Sequence, residues 1–79
     1  MSTNKNEKAK TYRLASSELV NTPGLLRWAM CGYRTGDRRL MLRVITEGYP
    51  GVTRQAAIRL LSGEVEHVVT EDGAVEFTA

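Results

Sequence analysis

Residues 38–46, RRLMLRVIT, and residues 54–62, RQAAIRLLS, place basic, apolar and hydroxyl side chains in the same order, sixteen positions apart. Both read at the helical period of about 100° per residue, so each predicts a short amphipathic helix. Only EGYPGVT separates them. A joint that short forces two helices to pack antiparallel or crossed, and a sixteen-residue period is below that of solenoid repeats. In the first helix Leu40, Met41, Val44 and Ile45 form the expected buried stripe, with Arg39, Arg43 and Thr46 facing away. In the second, Ala57 and Leu61 form the core side, flanked by Ala56, Ile58 and Leu60, while Gln55, Arg59 and Ser62 are exposed. Asp37 and Thr53 stand where N-caps belong, and Gly48 and Gly63 where helices close.

An earlier helix is predicted over GLLRWAMCGY, started by Thr22 as cap and Pro23 as first helical residue. Its core arc is Leu25, Leu26, Ala29 and Tyr33, with Met30 at the edge; Arg27, Cys31 and Arg34 lie opposite. Before it, SSELV predicts at most a helical turn. After the third helix, EVEHVVTEDGAVEFTA changes period from 3.6 to 2 and becomes rich in Val and Thr, which predicts a hairpin. A three-residue loop, Glu71-Asp72-Gly73, pairs Val69 with Val75 and His67 with Phe77. That register gathers Val65, His67, Val69, Val75 and Phe77 on one face; a one-residue slip would reverse every side chain. The expected fold class is α+β: three short helices packed with a C-terminal two-stranded β-hairpin.

The first dozen residues offer only Met1, Ala9 and Tyr12 to a core, so residues 1–14 are expected to be a disordered basic arm and residues 15–79 the folded domain. With 79 residues in all, such a domain has little stability to spare, and a homodimer is one route to supplement it. A single cysteine, Cys31, excludes an internal disulfide and a Cys-based zinc site. Residues 1–18 lack the apolar core of a signal peptide, and no apolar run is long enough to span a bilayer. A cytoplasmic setting is expected, with no membrane partner.

Charge is segregated. Between residues 27 and 59 seven arginines against Asp37 and Glu47 leave +5, whereas residues 60–79 carry five acids and no base, −5. Guanidinium forks suit phosphate, base edges and carboxylates alike, so duplex DNA or an acidic protein surface is the expected partner. No catalytic set is readable. His67 lacks a partner at ligand or triad spacing, and CGYRTGD lacks the Lys-Ser/Thr of a phosphate loop. Neither an enzyme nor a cofactor is expected.

Three helices followed by a hairpin resembles winged helix-turn-helix regulators over roughly residues 22–78. The resemblance implies that residues 38–48 support a recognition helix at 54–62. Thr53 and Arg54 would then meet phosphate or guanine, Gln55 adenine, and Arg59 guanine or phosphate, with Arg39 and Arg43 on the same face. The five-acid hairpin departs from a wing, which brings cations to the backbone. The alternative is a small phage-type inhibitor that grips a host enzyme complex through the Arg face, through Trp28 with Arg27, or through Glu66 and Glu76 of the hairpin.

Overall fold

The computed structural model describes residues 9–79. The expected arm is overturned at its C-terminal end: Thr11–Leu14 is a strand, β1. Its side chains alternate, with Thr11 and Arg13 exposed and Tyr12 and Leu14 buried, as a strand half-covered on one face requires. Residues 1–8 of that arm lie outside the described residues. Four residues form this strand because each finds a partner on the last strand, β3 (Val75–Thr78). Tyr12 stacks on Phe77 with ring centroids 5.1 Å apart, and Leu14 stands opposite Val75. The Thr11 and Thr78 hydroxyls are 3.1 Å apart, and Arg13 donates to Glu76 at 3.3 Å and also to Asp72. Cross-strand pairs of this kind are the unit of sheet stability.

The hairpin has the register that its pattern predicts. In β2 (His67–Val69), His67 pairs with Phe77 and Val69 with Val75. Gly73 supplies the left-handed residue of the loop, at φ 83°, and Thr70 N–H donates to Ala74 C=O at 2.9 Å. The sheet therefore has three antiparallel strands rather than two, in the order β1-β3-β2. The α+β class stands, with three helices covering one sheet face.

Helix α1 spans Thr22–Arg34 and is capped by Asn21, whose side chain accepts from Gly24 N–H at 3.3 Å. Thr22, expected as the cap, is instead fully buried inside the first turn. Its hydroxyl donates to Ala15 C=O at 3.0 Å, and its amide donates to Ser16 Oγ at 2.8 Å. Ser16 Oγ in turn donates to Gly73 C=O at 2.7 Å. This chain of bonds ties the start of α1 to the hairpin loop, as buried polar groups must be satisfied. Residues 16–20 form a turn rather than a helix, with Ser17 Oγ accepting from Val20 N–H at 3.1 Å.

Helix α2 spans Arg38–Gly48 and buries Met41, Leu42 and Ile45. Leu40, placed in the core stripe by its sequence position, is 53% exposed; Leu42 takes its place because α1 approaches from that side. The approach is close at Gly32, where a Cβ would lie 2.8 Å from Met41 Sδ. Helix α3 spans Arg54–Leu61, with Ala56, Ala57, Leu60 and Leu61 buried. Thr53 Oγ1 caps it, accepting from Ala56 N–H at 3.1 Å. Its far end closes as a Schellman motif: Glu64 N–H bonds Arg59 C=O at 3.0 Å, Gly63 N–H bonds Leu60 C=O at 3.2 Å, and Gly63 has φ 82°. Between α2 and α3, Val52 is buried as the anchor of the turn.

Candidate nucleic-acid interface

The first turns of α2 and α3 open onto a common cleft of about 250 Å³, lined by Tyr33, Arg38, Arg39, Leu42, Arg54 and Ile58. Leu42 and Ile58 belong to the apolar faces of their helices and form a floor. Tyr33, in the last turn of α1, carries the Arg38 guanidinium 5.5 Å from its ring centroid, within the range of a cation–π contact. That contact fixes the direction of a long side chain that would otherwise sweep a wide arc.

The electrostatics of this cleft run against ordinary helix design. Helix N-termini carry partial positive charge and favour acids in the first turn. Neither α2 nor α3 has an acid there, and each opens with arginine. Asp37, at the N-cap position of α2, makes no side-chain capping bond. Among the described residues, Arg38, Arg39 and Arg54 have no ion-pair partner, and neither do Arg27 and Arg34.

The residues expected to contact DNA do not all converge. Arg54 and Gln55 are exposed on the first turn of α3, and Arg39 lies across the cleft. Thr53 is exposed, but its hydroxyl is committed to the cap. Arg43 is exposed and bonded to Glu47 at 3.2 Å. Arg59 turns the other way: its Nε approaches Glu64 at 3.9 Å and is enclosed without a hydrogen-bond partner. The Schellman turn brings Glu64 back beneath Arg59, so this guanidinium belongs to the hairpin junction. Arg38 and Tyr33 are the residues that sequence reasoning missed. Arg38 is legible as the first residue of a helix without an acidic first turn, whereas the period of α1 places Tyr33 wholly in the core.

The hairpin acids are also distributed differently from a bare negative wing. Asp72 is held down to about 2, first by the hydrogen bond from Thr70 and then by Arg13. Asp72 first, and Glu76 after it, raise the Arg13 guanidinium above its ordinary value. Glu76 is therefore part of a clasp between β1 and β3, not a free partner-binding group. Glu66 is exposed. Trp28 is 54% exposed on α1, next to the exposed Arg27.

A second recess of about 660 Å³ lies between β1, Val20, Leu25 and the turn at residues 48–52. Its lining includes Lys10 and Arg13 and no carboxylate, histidine or cysteine. Among the described residues no three His, Cys, Asp or Glu side chains are grouped to hold a metal ion. No helix among them is long and apolar enough to cross a membrane.

Compared with known proteins, the chain matches no family model, and no curated protein or solved structure aligns with it significantly.

Proposed function

We propose that the protein is a small, non-enzymatic regulator of the cytoplasm that binds duplex nucleic acid through the facing first turns of α2 and α3. One observation carries this reading: Arg38, Arg39 and Arg54 line a single cleft, unneutralised, at two positive helix ends. Phosphate oxygens are the ligands that such an arrangement satisfies. Gln55, exposed beside Arg54, supplies a side chain able to read an adenine edge. The unpartnered acids of the hairpin, Glu66 and Glu71, must then stand off the duplex. The test is a titration of labelled duplex DNA at several salt concentrations. The log of the binding constant should fall with log salt at about −0.9 per phosphate neutralised. A flat titration at low salt removes the proposal.

A second reading is favoured by Trp28 alone. An aromatic half in solvent beside an arginine has the composition of a protein-binding hot spot, which suits an inhibitor of an enzyme complex. Trp28→Ala would then release a captured partner while leaving DNA titrations unchanged.

A further inference from the structure

β2 is one of the two edge strands of the sheet. Lys10 and Ala79 exchange both backbone bonds, at 2.9 and 3.0 Å. Alternation along the antiparallel ladder then directs Phe77 and Val75 toward β1 and Glu76 toward β2. In β2 it is accordingly Val68 that bonds β3, consistent with the Thr70–Ala74 bond two residues on. The N–H and C=O groups of His67 and Val69 point away from the sheet. No backbone or side-chain group of the described residues bonds the His67 or Val69 amide.

The side chains at this edge are equally uncovered. Val69 stands opposite Val75, which is completely buried, yet Val69 is 54% exposed. On the same face His67 is half-buried and Val65 packs against the core, so the uncovered apolar surface is at Val69. Val68 is exposed on the opposite face. Natural edge strands are guarded by brevity, charged side chains, Pro, bulges or cover; β2 is only three residues long, and residues 64–71 contain neither Lys nor Pro.

What brackets this edge is negative charge. Asp72 and Glu76 are neutralised by Arg13, and Glu64 is approached by Arg59. Glu66 and Glu71 have no ion-pair partner among the described residues. A second copy of the chain would bring both sets of acids together, and a nucleic acid would meet them with its phosphates.

We propose that β2 is a docking edge for an extended, basic segment of another protein, which adds a fourth strand beside His67–Val69. Backbone bonds to His67 and Val69 set its register, apolar residues of the segment cover Val69, and lysines or arginines meet Glu66 and Glu71. This surface is separate from the arginine cleft and does not rest on the nucleic-acid reading.

The test uses the full chain, backbone amide NMR with hydrogen exchange, and a synthetic peptide of alternating lysine and valine. Exchange of the His67 and Val69 amides should slow by at least about tenfold on saturation. Val69→Pro removes an outward N–H, which an edge position tolerates, and should abolish binding while the spectrum of the helices persists. Glu66→Lys with Glu71→Lys should weaken binding by about tenfold or more at low salt. Arg54→Ala should leave it unchanged, which separates this surface from the cleft. The proposal is overturned if the two amides stay unprotected at saturating peptide, or if a peptide with glutamate in place of lysine binds equally well. It is also overturned if the amides are already protected in the free protein in proportion to its concentration, because the occupant is then a second copy.

Discussion

The Tyr49 hydroxyl and Thr22 Oγ1 lie 2.6 Å apart, joining the residue after α2 to the first turn of α1. Thr22 has one hydroxyl proton and donates it to Ala15 C=O, so Tyr49 is the donor to Thr22. Thr22 is the one buried polar residue among those described, and its neighbours link the hairpin loop, the entry to α1 and the end of α2. Thr22→Val should therefore cost about 1–2 kcal/mol, and Tyr49→Phe about 1 kcal/mol. In the double variant the two costs should fall short of their sum, measured by urea unfolding as a double-mutant cycle.

Leu14 carries the reassignment of the N-terminal segment from arm to strand. It is buried opposite Val75, and Leu14→Ala should destabilise the fold by about 2–5 kcal/mol. Against a total of about 5 kcal/mol for a domain this small, much of the protein should be unfolded at physiological temperature. Circular dichroism melts of the variant check this; an unchanged midpoint would return β1 to the status of an arm.

Asp72 predicts an acid limb to stability. Its carboxyl is depressed to about 2 in the folded protein, by Thr70 first and Arg13 second, against an ordinary 3.8. A depressed acid contributes stability that is complete above its unfolded value and is lost as pH falls through its folded value. Asp72→Asn should thus melt below the parent at neutral pH. The two melting curves should converge as pH drops from about 4 to about 2.

Arg54 and Arg59 sit five residues apart on one helix and should behave differently toward DNA. Arg54 is exposed at the cleft, and Arg54→Ala should weaken binding by about 1–3 kcal/mol and flatten the salt slope by about 0.9. Arg59 faces Glu64, so Arg59→Ala should lower thermal stability and change DNA affinity little. Parallel titrations of the two variants decide it, and equal losses would place the interface on the other side of α3.

Much of the architecture was legible because periodicity reports burial directly. The hairpin register followed from asking which pairing puts Val65, His67 and Val69 on the face of Val75 and Phe77, and Thr53 and Gly63 marked the ends of α3 by their own chemistry. What sequence could not convey was non-local. The four residues TYRL carry no strand signal until Phe77 and Val75 are beside them. Leu40, Met41 and Leu42 are three apolar residues in succession, and only the approach of Gly32 selects the pair that is buried. The register puts Val69 on the face of Val75, yet Val69 is 54% exposed because its strand is an edge of the sheet. At the cleft, Arg39 and Arg54 could be read from the exposed arcs. Arg38 and Tyr33 meet there because α1 ends where α2 begins.

The sheet order has a kinetic corollary. Both outer strands bond only to β3, and the contact from Thr11 to Thr78 spans 67 positions. Closing so long a loop is entropically late, after the helices and the three-residue hairpin have formed locally. Substitutions at Tyr12 or Leu14 should accordingly leave the refolding rate nearly untouched and accelerate unfolding by the whole of their cost. The first strand then works as a latch on an already assembled body, setting how long the native state persists.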